Sequence, residues 1–130
     1  MTAATEKKKL TLEDIIAKKL EKQNKRNKKG TFYVESLGGQ VEYEVPDEST
    51  LLRAMDKFEA GSMEKINDAY VYLIYNSVPI IRNPELHEAY EVVDPLDIVS
   101  KVFELKERMN LGEKILKLAK LDEIGEDVKN

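Results

Sequence analysis

Residues 66–78 read INDAYVYLIYNSV, and this most apolar stretch of the chain decides the fold. Six of its residues recur at helical spacing: Ile66, Ala69, Tyr70, Leu73, Ile74 and Ser77. Val71, Tyr72, Tyr75 and Val78 widen this apolar sector until it nearly surrounds the helix. A helix that is apolar on most sides lies at the centre of a domain and contacts several neighbours. We expect it to end near Val78, because Pro79 has no N–H and disfavours helix at the residue before it.

Two alternating segments upstream predict a β-hairpin over about residues 31–45. FYVESL (32–37) and QVEYEV (40–45) flank Gly38-Gly39, a pair that suits a two-residue turn. In that pairing Val34 lies opposite Tyr43 and Phe32 lies opposite Val45, and one face is apolar. A lone hairpin is marginally stable in water, so we expect it to pack on helices or on another chain's sheet edge.

Helix-start signals recur along the rest of the chain. They are Thr11 with Asp14, Asp47, Ser62, Asn83-Pro84, Asp94-Pro95, and Asn110 with Glu113. After the first of them, Leu12, Ile15, Ile16 and Leu20 form one apolar stripe. These signals predict an α+β, mostly helical fold: a compact helical domain of about five or six helices with the hairpin packed on it.

The length of 130 residues predicts one domain. We expect a disordered N-terminus over residues 1–9 and a single domain over 10–130, with a basic helix and linker over 10–30 and a polar C-terminal tail. Residues 1–30 hold ten Lys or Arg and four acids, whereas the whole chain has a net charge of −4. A basic arm is therefore attached to an acidic body.

Composition excludes several classes of protein. The absence of cysteine excludes a disulfide framework, thiol catalysis and cysteine-bound zinc. No apolar run reaches the roughly 18 residues of a membrane span, and the charged N-terminus lacks the apolar segment of a signal peptide. We expect a cytoplasmic protein with no membrane partner.

No residue pattern in the sequence predicts chemistry. His87 is the only histidine, and Glu91 stands where a His-Glu-x-x-His motif needs its second histidine. The glycines form no phosphate-binding loop, and no serine has a nucleophile-elbow context. We therefore expect no catalytic, cofactor or metal site and no small-molecule substrate. Three tyrosines on different sides of the central helix, Tyr70, Tyr72 and Tyr75, favour a binding surface, although half-buried tyrosines at the core rim explain them as well.

The order of these segments resembles the XkdN-like family of phage tail assembly chaperones. The resemblance covers residues 10–130 and rests on a Lys-rich N-terminal segment, a β segment ending in Val41-Glu42-Tyr43-Glu44-Val45, and an apolar helix leading into Val78-Pro79. It continues with Asn83-Pro84-Glu85-Leu86, Tyr90-Glu91-Val92 and a helix around Leu96–Leu105.

The resemblance implies a non-enzymatic role in building the tail. Such proteins keep the long helical tape measure protein soluble, help tail tube subunits assemble around it, and are absent from the finished particle. An amphipathic helical client needs an apolar groove between helices. Ile80, Ile81, Leu86 and Tyr90 lie around the Pro79 and Pro84 breaks, so we expect them to contribute to client contact.

Two other functions stay open at the level of sequence. The Lys-rich run over residues 7–29 is compatible with a small nucleic-acid-associated protein, although the acidic body and the absence of aromatics in the run count against that interpretation. A solvated helix end and linker explains the same run. The third candidate is a structural tail component that polymerises through the hairpin edges.

Overall fold

The computed structural model describes residues 9–26 and 28–120. The predicted disorder of residues 1–9 falls outside this range except for Lys9, and so does the predicted polar tail. The elements in chain order are helices α1 (Leu12–Ala17) and α2 (Lys19–Arg26), strands β1 (Lys29–Val34) and β2 (Gly39–Glu44), helices α3 (Glu48–Glu59) and α4 (Met63–Ser77), a 3-10 helix (Pro79–Arg82), and helices α5 (Pro84–Ala89), α6 (Asp97–Val102) and α7 (Leu105–Leu118). The predicted fold class, α+β and mostly helical, is confirmed.

Helix α4 is the centre of the domain, as its sequence predicts. It packs against α3, α6, α7 and the 3-10 helix. Its buried residues are Ala69, Tyr70, Leu73, Ile74 and Ser77. The Ser62 hydroxyl caps its N-terminus by accepting a hydrogen bond from the Lys65 amide at 3.1 Å. The helix ends at Ser77, and Val78 is extended before Pro79.

The hairpin has the predicted apolar face but a different register. Phe32 pairs with Val41 and Gly30 with Tyr43, so the predicted pairing of Phe32 with Val45 is wrong. Residues 35–38 form the turn, and Gly38 takes a left-handed conformation with φ of 68°. The Gly38 amide donates to the Val34 carbonyl at 2.9 Å, which closes this longer loop. The shift is even-numbered, so Phe32, Val34 and Tyr43 still point into the core.

The C-terminal helices divide at another point than predicted. Asn110 with Glu113 does not start a helix, because α7 runs without a break from Leu105 to Leu118. The break lies instead at Phe103, which is extended, and the Glu104 amide donates to the Glu107 carboxylate at 2.8 Å. Helix α6 also begins at Asp97, two residues after Pro95, because Asp94 accepts from the Leu96 amide and first forms a turn.

Candidate partner-binding site

Two prolines break the chain after the central helix and leave an open groove. Pro79 begins the 3-10 helix, and Pro84 begins α5 after Asn83, whose side chain accepts from the Glu85 amide at 2.9 Å. Proline fits the first turn of a helix because the N–H it lacks has no partner there. Each break turns the chain, so the 3-10 helix projects beside strand β2.

The groove lies between β2 and the 3-10 helix and has a volume of about 690 Å³. Its apolar lining consists of Val41, Pro79, Ile80 and Pro84, and its polar lining consists of Gln40, Glu42, Arg82 and Asn83. Ile80 is 62% exposed although its side chain is large and apolar. A lining that mixes apolar and polar side chains matches the requirements of an amphipathic peptide or helix.

Of the four predicted partner-binding residues, the structure brings only Ile80 into this groove. Ile81 is 1% exposed and belongs to the core, because successive residues of a 3-10 helix point about 120° apart. Leu86 is half-buried against the same core, and Tyr90 is exposed at the end of α5 outside the groove lining. The predicted set therefore divides into two accessible residues and two that support the fold.

Hydrogen bonds hold the 3-10 helix against its neighbours. The Arg82 guanidinium donates to the Tyr75 carbonyl of α4 at 2.9 Å. His87 Nε2 lies 2.8 Å from the Ile81 carbonyl, and it is the donor because a carbonyl oxygen only accepts. The His87 ring also meets Tyr75 edge to face at 6.2 Å between centroids. His87 is thus half-buried and fixes the groove wall.

Sequence reasoning missed the contribution of β2 to the groove. Gln40, Val41 and Glu42 line it, although they are distant in sequence from the proline breaks. The alternation of the strand indicates which residues face the core, but no sequence signal places β2 beside the 3-10 helix. The tyrosines of α4 are half-buried at the core rim, except for Tyr70, which is buried. Burial and the nearby charge of Glu113 raise the pKa of Tyr70.

Residues 9–26 and 28–120 contain no group of three or more His, Cys, Asp or Glu side chains that could hold a metal ion. None of the helices in these ranges has the length and apolar character that crossing a membrane requires.

Comparison with known proteins gives no match, whether to a family model, a curated protein or a solved structure.

Proposed function

We propose that this chain is a non-enzymatic tail assembly chaperone that binds the tape measure protein, and in addition tail tube subunits, in the bacterial cytoplasm before the particle is complete. The observation that carries the proposal is the groove beside Ile80. It places an exposed isoleucine among polar side chains, which is the combination of apolar contact and polar surroundings on which an amphipathic helix docks. The tape measure protein is proposed as the client because residues 10–130 resemble the XkdN-like family.

The residues that line the groove suit a helical client. A tape measure protein is long and helical, so its apolar side chains recur along one face of each helix. Ile80, Pro79 and Val41 offer the apolar contact. The polar lining includes Arg82, which donates to the Tyr75 carbonyl, and Glu42, which forms an ion pair with Lys29 at 3.6 Å, so both charges are held in place beside the apolar residues. The hydrogen bonds of Arg82 and His87 keep the groove wall in place before the client arrives, which reduces the entropy lost on binding.

Co-expression tests the proposal. The tape measure protein encoded beside this chain is produced with and without it, and the soluble fraction of the tape measure protein is measured. We expect a soluble complex with the wild-type chain and a loss of that complex with Ile80→Asp. Binding of an apolar client side chain would remove water from the new carboxylate without giving it a hydrogen-bond partner, which is unfavourable.

Leu52→Asp is the matched control, because Leu52 on α3 is 60% exposed and lies outside the groove lining. Ile81→Asp is unsuitable, since a charge at this core position unfolds the domain. If wild type leaves the solubility of the tape measure protein unchanged, the function is wrong. If Ile80→Asp and Leu52→Asp both retain the complex, the groove is not the binding site. Presence of the chain in purified particles would instead identify a structural component.

A further inference from the structure

Helices α1 and α2 present an apolar stripe to solvent. Leu12, Ile15, Ile16 and Leu20 recur every three or four residues, and each side chain is between 57% and 69% exposed. The N-terminus of α1 is nevertheless well fixed. The Thr11 hydroxyl accepts from the Asp14 amide at 3.2 Å, and the Asp14 carboxylate accepts from the Thr11 amide at 3.0 Å. Two successive helices therefore offer four large apolar side chains, called here the apolar stripe: Leu12, Ile15 and Ile16 on α1 and Leu20 on α2.

Lysines lie close to this stripe. Lys18 and Lys19 follow Ile15 by three and four residues, and Lys22 follows Lys18 by four, which is the spacing of neighbouring side chains on a helix. All three lysines are exposed, and Lys18 forms an ion pair with Glu21 at 3.1 Å. A surface with apolar side chains beside several positive charges fits an acidic partner that also has an apolar surface.

The same chain carries a surface of that chemistry. Between residues 85 and 97 an acid stands at every third position: Glu85, Glu88, Glu91, Asp94 and Asp97. This acidic segment contains no Lys or Arg, and all five carboxylates are exposed. Apolar side chains lie among them, because Val93 is 97% exposed and Tyr90 is 38% exposed. The acidic segment thus combines negative charge with uncovered apolar surface.

Both surfaces are exposed in the same structure, so the chain does not cover one with the other. We propose that the apolar stripe of one copy docks on the acidic segment of a second copy. The stripe lies over Tyr90 and Val93, and Lys18, Lys19 and Lys22 face the carboxylates. The contact joins two different surfaces, so each dimer keeps one free stripe and one free acidic segment. Such a contact adds further copies until a ring closes or a filament grows.

Sedimentation of the purified, nuclease-treated chain tests this proposal over a series of concentrations. The wild-type mass is expected to rise with concentration from the 14.9 kDa of one chain to at least twice that value. The stripe variant Ile16→Ser/Leu20→Ser and the segment variant Glu88→Lys/Glu91→Lys are each expected to stay at the mass of one chain. A mixture of the two is expected to give a one-to-one heterodimer that grows no further, because only one intact stripe and one intact segment are available in each pair.

The control variant Leu37→Ser/Leu52→Ser removes two apolar side chains of similar exposure outside both surfaces, and we expect it to associate like wild type. Circular dichroism and urea unfolding identify any variant that fails to fold. A wild-type mass that stays at one chain at every concentration overturns the proposal. It is equally overturned if both variants associate like wild type, or if their mixture stays monomeric. No client is present, so a failure here leaves the chaperone proposal standing.

Discussion

The first helix within the described residues, α1, and the central helix, α4, begin in the same way. A hydroxyl caps each: Thr11 accepts from the Asp14 amide, and Ser62 accepts from the Lys65 amide. Both helices then carry apolar residues at helical spacing. The apolar residues of α1 are exposed, whereas Leu73 and Ile74 of α4 are completely buried.

This difference separates helix formation from burial. Caps and the helical spacing of apolar residues depend only on nearby sequence, and they favour a helix after Thr11 as they do after Ser62. Burial depends on neighbours, and α4 has α3, α6, α7 and the 3-10 helix around it. Most helical stability in proteins comes from such packing. A capped helix with an uncovered apolar face is therefore available for a partner.

Truncation of one leucine in α4 and one in the apolar stripe should give the largest difference in the free energy of unfolding. Leu73→Ala leaves a cavity in the core, and we expect a loss of about 2–5 kcal/mol in the free energy of unfolding. Leu20→Ala removes an exposed side chain, so the change should stay within about 0.5 kcal/mol. Urea unfolding of dilute protein measures both. Equal losses would mean that the apolar stripe is packed within the monomer.

Substitution of Gly112 tests the close packing between α4 and α7, a kind of contact that leaves no room for an added side chain. A β-carbon at Gly112 of α7 would overlap the ring of Tyr70 on α4. We expect Gly112→Ala to destabilise the fold by about 1–3 kcal/mol, because overpacking outweighs the better helix propensity of alanine. Gly39→Ala is the control, since a β-carbon there meets no atom within 4 Å. A Gly112→Ala protein as stable as wild type would show that α4 and α7 do not approach this closely.

Glu107 connects the hairpin turn to α7 and provides a test that depends on pH. Its carboxylate accepts from the Ser36 amide at 2.9 Å, from the Ser36 hydroxyl at 2.8 Å and from the Glu104 amide at 2.8 Å. Burial acts to raise the pKa of Glu107, but the hydrogen bonds from Ser36 and Glu104 outweigh it and lower the pKa below the usual value. The folded protein therefore binds this proton less readily than the unfolded chain does.

The stabilisation by Glu107 is accordingly present above the pKa of the unfolded chain, about 4.3, and is lost as pH falls through the lower pKa of the folded state. At neutral pH we expect Glu107→Gln to lower the free energy of unfolding by about 1–2 kcal/mol. The loss is no larger because the carboxylate is partly exposed and water screens its interactions. The cost should shrink as pH falls below about 4. Urea unfolding at both pH values measures it, with Glu35→Gln in the exposed turn as control. A cost that does not change with pH would contradict the role of the charge.

Removal of the helix caps at Ser62 and Thr11 should have the smallest effect on stability, but the two variants should differ in which measurement changes. Ser62→Ala should lower the free energy of unfolding by about 1 kcal/mol, because α4 belongs to the cooperative core. Thr11→Ala should reduce helical circular dichroism and leave the unfolding midpoint in place, because α1 frays without affecting the core. A shift of the midpoint by Thr11→Ala equal to that of Ser62→Ala would mean that α1 unfolds together with the core.

Local signals in the sequence predict the caps at Thr11 and Ser62, the end of α4 before Pro79 and the apolar face of the hairpin. The hairpin register was predicted wrongly for two reasons. The left-handed conformation of Gly38 fits a longer turn as well as a two-residue turn, and both registers bury the same face of the hairpin. The predicted start at Asn110 is wrong because a capping pattern inside a helix has no effect once the helix is packed, and Gly112 packs on Tyr70.

The candidate site could be predicted only in part. The prolines at 79 and 84 indicate where the chain breaks, but the choice between Ile80 and Ile81 depends on which side of the 3-10 helix meets the core. The position of β2 beside that helix, and the bond between Ser36 and Glu107 across 71 residues, depend on tertiary packing. Periodicity finds the apolar stripe of α1 and α2 but does not say whether the monomer covers it.

Amide hydrogen exchange at low and high protein concentration tests most directly whether α1 and α2 form a locally capped, uncovered surface. The amides of α4 should be strongly protected at both concentrations. Those of α1 and α2 should exchange quickly in dilute protein and become protected as the concentration rises, and Ile16→Ser/Leu20→Ser should abolish that gain. Protection of α1 and α2 equal to that of α4 in dilute protein would contradict this account, and so would protection that never changes with concentration.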